Sequence, residues 1–105
     1  MSAPHIKDDN FQAEVIEASK EMPVVVDFWA EWCGPCKVSG PEVDKASGEL
    51  EGKVKVTKMN VDENTVIPQQ FGVMSIPTFI KFENGEETDR VTGFPGAEKF
   101  REWLG

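Results

Sequence analysis

Residues 24–29 read Val-Val-Val-Asp-Phe-Trp, β-branched or aromatic on both parities of a strand apart from one acid. A strand that is apolar on both faces has to be covered from both sides, the condition of a central strand in a sheet sandwiched between helices. The rest of the chain supplies those covers. Asp8, Asp9 and Asn10 offer caps, with Gln12 three after Asp9 as in a capping box. Phe11, Val15, Ala18 and Met22 then follow helical spacing, which predicts a helix over about 9–21, stopped by Pro23. Val43, Ala46 and Leu50 form a narrow stripe in a second helix from Gly34 to Leu50, kinked at Pro41 and ended near Gly52. A strand over 54–61 and a short helix over 64–71 follow, with Pro68 near its first turn and Gly72 as its stop. Strands at 78–82 and 87–92 flank Asn84-Gly85, a pair suited to a tight hairpin turn. A closing helix over 97–104 carries Phe100, Trp103 and Leu104 on one face. A short first strand at His5 to Lys7 completes the pattern. With right-handed crossovers, this order gives an α/β fold, a central mixed β-sheet flanked by helices on both faces, in one domain over residues 1–105.

Charge narrows the function. Eleven basic against nineteen acidic residues leave −8, which repels phosphate backbones and anionic membrane surfaces, so neither nucleic acid nor membrane is an expected partner. No stretch approaches the roughly 18 apolar residues of a membrane span, and residues 1–10 hold no apolar run of signal-peptide length. The expectation is a soluble cytoplasmic protein. Two cysteines are too few for a disulfide scaffold, so their spacing, Cys33-Gly34-Pro35-Cys36, has to carry the meaning.

Cys33 follows the buried strand and opens a helix, which sets its sulfur near unpaired N–H groups and the positive end of the helix dipole. Both favour the thiolate. Cys33 is therefore the better nucleophile, and Cys36, one turn on, can reach it to form a reversible disulfide. A zinc site needs about four ligands, and beyond these two cysteines the chain offers His5 as its only histidine, so no metal is expected. Asp27, an acid among Val25, Val26, Phe28 and Trp29, must stay protonated or find a partner, and its pKa should be raised. Lys58 shares strand parity with Val54 and Val56. Two readings stand for it: an inward side chain paired with Asp27, or one that snorkels to the surface. Trp32 is open in the same way between core and contact surface.

The run Phe28-Trp29-Ala30-Glu31-Trp32-Cys33-Gly34-Pro35-Cys36-Lys37, with Pro41, Lys58, Ser75-Ile76-Pro77-Thr78 and Gly93 further on, closely resembles the thioredoxin family over essentially the whole chain. The Cys-x-x-Cys spacing is itself the textual mark of thioredoxin-like redox motifs. The resemblance implies a thioredoxin-like fold and a protein disulfide reductase with no cofactor beyond its own dithiol. Its implied partners are a thioredoxin reductase and disulfide-containing proteins, and it is expected to act as a monomer. Cys33 would attack and Cys36 resolve, with Asp27 as general base toward Cys36 and Lys58 beside it. Gly34 and Pro35 would shape the helix start, and Trp32 would be a contact surface. Pro77 would be cis, lying against the cysteines and presenting the Ile76 backbone to an extended substrate segment. Gly93 either lets that substrate come close or is a plain turn. Met74 and Phe94 are expected on the rim of an apolar contact patch, although single exposed apolar residues often carry no role.

Two places depart from the family pattern. The helix after the cysteines, residues 37–46, is thin in large apolar residues and places Gly40 just before the kink, while Gly93-Phe94-Pro95-Gly96 brings a ring and a proline next to the expected substrate groove. A related alternative is an oxidase or isomerase, which the Gly-Pro pair between the cysteines argues against. An alternative from another class is a redox-dependent binding subunit that docks to one partner.

Overall fold

A computed structural model describes residues 2–105. Four strands, β1 (Val24–Trp29), β2 (Lys55–Asn60), β3 (Thr78–Glu83) and β4 (Glu86–Thr92), lie in the order β2-β1-β3-β4. β1 pairs parallel with β2 and antiparallel with β3, and β3 pairs antiparallel with β4, so the sheet is mixed. The apolar β1 sits at its centre, as its two-faced composition requires. The α-helices among the described residues are α1 (Gly34–Glu49), α2 (Val66–Gln70) and α3 (Ala97–Leu104).

Alternation along β1 divides the core. Val24, Val26 and Phe28 meet Phe11, Val15, Ile67 and Phe82 on one side, while Val25 meets Val43, Ala46, Phe79, Phe100 and Leu104 on the other. The second side is covered by α1 and α3, which an Arg101–Glu49 ion pair joins at the surface. Asp27 has the parity of Val25 and therefore faces α1.

The buried seam of α1 runs through Cys36, Ser39, Val43 and Ala46, starting earlier than the apolar stripe suggests. Ser39 is tolerated there because its hydroxyl donates to the Cys36 carbonyl at 3.3 Å. The helix continues through Pro41.

The N-terminal third corrects several expectations. The first helix is a π-helical stretch (Gln12–Glu17) followed by a 3-10 turn (Ala18–Lys20). Ser19, buried in that turn, also reaches outside it. The Ser19 carbonyl accepts from the Asn84 amide and its hydroxyl oxygen from the Gly85 amide, both at 2.8 Å. That clasp holds the β3–β4 hairpin, whose turn has φ of 53° at Asn84 and 85° at Gly85, the left-handed pair expected for Asn-Gly. Asp8 does not cap the first helix. Its carboxylate accepts from the amides of Val66 and Ile67 at 3.1 and 2.9 Å, capping α2, whose own N-cap residue Thr65 makes no side-chain bond. The short first strand is reduced to a single parallel bridge between His5 and Lys58.

Candidate redox site

The carboxyl end of β1 delivers the chain through Ala30 to Cys33, which is the N-cap of α1 in extended conformation (φ −80°, ψ 111°). Gly34 and Pro35 form the first helical turn, where the missing proline N–H leaves no helical bond unmade. Cys33 and Cys36 form a disulfide across a Cα separation of 5.2 Å, and the Cys36 amide donates to Cys33 Sγ at 3.2 Å. In this oxidised form both cysteines are buried, packed with Ala30 against Trp29, Val61 and Ile76.

Ile76 comes from the loop before β3, and the Ile76–Pro77 peptide bond is cis, as the resemblance implied. Pro77 is buried, and its carbonyl accepts from the Gly93 amide at 2.8 Å, where Gly93 has φ of 85°. Residues far apart in the chain are thus brought around one disulfide. Trp32, Val61, Val73, Met74 and Ile76 line a shallow groove of about 160 Å³. Trp32 is 69% exposed and Met74 96%, which settles Trp32 as surface. The Trp32 indole is held by Asp62, Nε1 to Oδ2 at 2.9 Å, a contact that nothing in the sequence signals.

Phe94 is half-buried. Its ring lies 5.8 Å from Phe100 and 6.4 Å from Phe79, packed against the α3 side of the core. After the turn at Gly93, a buried aromatic cluster is the nearest place for a large ring to lose water.

Behind the disulfide, a cleft of about 190 Å³ is lined by Asp27, Cys36, Gly40, Pro41, Asp44 and Lys58 among others. Asp27 is 1% exposed, and its Oδ1 has no hydrogen-bond partner among the described residues. Burial pushes its carboxyl up to about 7; Lys58 counteracts this and Asp44 reinforces it. Asp27 and Lys58 are register partners across the parallel pair β1–β2. The expected Asp27–Lys58 pair is nevertheless not the one formed. Lys58 Nζ makes its ion pair with Asp44 Oδ1 at 3.0 Å and lies over the Trp29 ring, 5.7 Å from its centroid. Asp44 is more open to water than Asp27, so it carries its charge at lower desolvation cost and wins the lysine. Burial works against the charged form of Asp44 too, yet the bonds from the Ala3 amide and Lys58 hold its carboxyl below the usual range. An acid on a helix reads as a solvated charge in sequence, which is why Asp44 went unmarked.

Among the described residues, no cluster of three or more His, Cys, Asp or Glu side chains is placed to hold a metal, and no helix is long and apolar enough to cross a membrane.

Comparison with known proteins agrees with this geometry. The thioredoxin family profile matches residues 2–105. The thioredoxin of Rickettsia felis is 49% identical over 102 residues, 97% of this chain and 95% of that protein. The thioredoxin of Synechocystis sp. is 49% identical over 94 residues, covering 89% and 86% of the two chains. That of Haemophilus influenzae is 49% identical over 82 residues, covering 78% and 75%. Thioredoxins exchange electrons with a reductase and with disulfide-containing proteins, using no cofactor beyond the redox-active disulfide. The chain belongs to the thioredoxin family and is a thiol-disulfide oxidoreductase, a protein disulfide reductase whose redox centre is its Cys33–Cys36 pair.

Proposed function

We propose that Cys33 is the attacking thiol, Cys36 the resolving thiol and Asp27 the base that serves Cys36. The Cys33 thiolate attacks one sulfur of a substrate disulfide. A Cys33–substrate bond forms, the substrate bond breaks, and one substrate thiolate leaves. Cys36 then gives its proton to Asp27, directly or through one water in the cleft, and attacks Cys33 Sγ. The Cys33–Cys36 bond forms, the second substrate thiolate leaves, and two electrons have passed to the substrate. A thioredoxin reductase returns two electrons to the pair. The observation that carries this division of labour is the shared cleft: Cys36 and the unpartnered Asp27 both open onto it.

In this reading Trp32, Met74 and Ile76 give the substrate an apolar surface, with Pro77 fixing the Ile76 backbone and Gly93 keeping the approach open. Gly34 and Pro35 shape the nucleophile's helix start. Lys58 acts beside Asp27 through its field. Phe94 drops out of the contact surface. The chain works as one domain over residues 1–105, as a monomer in the cytoplasm, where thiols are kept reduced.

Reduction of insulin disulfides coupled to NADPH and a thioredoxin reductase tests the proposal as a whole. Turnover that disappears in Cys33→Ser and in Cys36→Ser supports it, and turnover that survives either substitution overturns it.

A further inference from the structure

A lysine placed in register with a buried carboxylate ordinarily neutralises it. Here the Lys58 ammonium is held 3.0 Å from Asp44, and Asp27 is left bare. The groups that surround Asp27 come from every neighbouring element. β2 offers Lys58, while α1 offers Cys36, Lys37 and Asp44. The segment after β1 brings Glu31, and β3 contributes only the apolar Phe79 in register. His5, from the N-terminal segment, acts on Asp44. Lys58 and Asp44 are thus the opposite charges nearest to one another, and Asp44 is fixed in place by the Ala3 amide, which donates to the same Oδ1 at 2.9 Å.

We propose that Asp44 is a positioning residue. By anchoring the Lys58 ammonium on the α1 side of the cleft, it keeps Asp27 free of an ion-pair partner beside Cys36. The inference rests on the reading of Asp27 as the base for Cys36. Asp44 itself touches neither cysteine nor substrate in this scheme and acts through Lys58. Without Asp44, the lysine turns to the carboxylate in register with it, and Asp27 is held ionised as half of a buried pair.

The test uses the full chain in four forms: wild type, Asp44→Asn, Lys58→Met and the double variant. Asparagine keeps an oxygen for the Ala3 amide and removes only the charge. The Asp27 carboxyl is followed by carbon-detected NMR across pH. Asp44→Asn should lower its titration midpoint by about one pH unit or more, and the same substitution should lower it far less when Lys58 is already methionine. An unmoved midpoint in Asp44→Asn overturns the proposal. An equal drop in both backgrounds also overturns it, because Asp44 would then be only a nearby like charge. Single-turnover resolution of a mixed disulfide, measured over the same pH range, separates the underlying reading. If the carboxyl midpoint moves as expected and the acid limb of the resolution rate does not follow, the positioning role stands and the base assignment falls.

Discussion

The backbone amide of Cys36 points at the sulfur of Cys33 across 3.2 Å, at the open end of α1. After reduction, the same amide and the helix dipole favour negative charge on Cys33. Cys36 lies deeper along the buried seam of the helix, next to the cleft that holds Asp27. The pair is therefore asymmetric. Cys36→Ser should attack a disulfide substrate and remain bound to it, so a covalent adduct accumulates on non-reducing electrophoresis, while Cys33→Ser should form none. Equal trapping by both variants would reverse or erase the assignment.

Asp27→Asn keeps the shape of the side chain and removes the proton acceptor. Resolution at pH 7 should slow by roughly 10² to 10³-fold, and the first attack much less, as stopped-flow kinetics of the two steps would report.

The same carboxyl makes stability depend on pH. It is raised in the folded state from an ordinary 3.8 to about 7, so between these values the folded protein holds a proton that the unfolded chain has lost. The stability contributed by Asp27 is therefore greatest below the unfolded value, falls as pH rises from about 4 to about 7, and levels off above. The fall is on the order of 4 kcal/mol at ~1.4 kcal/mol per pH unit. Asp27→Asn should be more stable than the parent at pH 8 and should lose this slope. Urea midpoints at pH 4, 6 and 8 check it, and parallel curves for the two proteins would refute a buried, raised acid.

Gly40 precedes Pro41 within α1, and a Cβ built there meets Lys58 Nζ at 3.8 Å, an ordinary contact. Space does not require glycine. Helix propensity favours alanine, while crowding before the proline opposes it. Gly40→Ala should raise stability by several tenths of a kcal/mol, with an unchanged reduction potential. Denaturation of the oxidised and reduced forms measures this. A lower midpoint in both forms would show that crowding before Pro41 wins.

Phe94→Ala removes a ring from the cluster with Phe79 and Phe100 and should cost about 2 to 3 kcal/mol, less than a fully buried phenylalanine because the ring is half-buried. Insulin reduction per folded molecule should be unaffected. A raised KM with unchanged stability would return Phe94 to the substrate surface.

Where the sequence was readable, periodicity or turn chemistry was strong. The two-faced apolar run placed β1 at the centre of the sheet, Asn84-Gly85 placed the hairpin, and Phe100 with Leu104 placed α3 to within a residue. Asp27 announced itself as an acid in an apolar strand. The cis bond at Pro77 had no local signal and came from family resemblance alone. What stayed hidden was every polar side chain whose partner is distant in sequence. Asp8 looks like a cap for the helix beside it and caps α2 instead. Ser19 looks like an ordinary helical residue and clasps a hairpin. Lys58 was placed on the correct face by parity, but parity does not reveal that Asp44 on α1 competes for it. A hydrogen bond or ion pair is decided by local geometry that a one-dimensional pattern does not encode.

The N-terminal strap has a consequence for how the chain is made. The Ala3 amide binds Asp44, 41 residues on, and the Asp8 carboxylate binds the Ile67 amide, 59 residues on; between them the Pro4 carbonyl and Ile6 amide pair with Lys58. On a ribosome, those partners do not yet exist when the strap emerges. The strap leaves the tunnel before its partners and is thus among the last segments to be fastened, and the edge of β2 stays open until it returns.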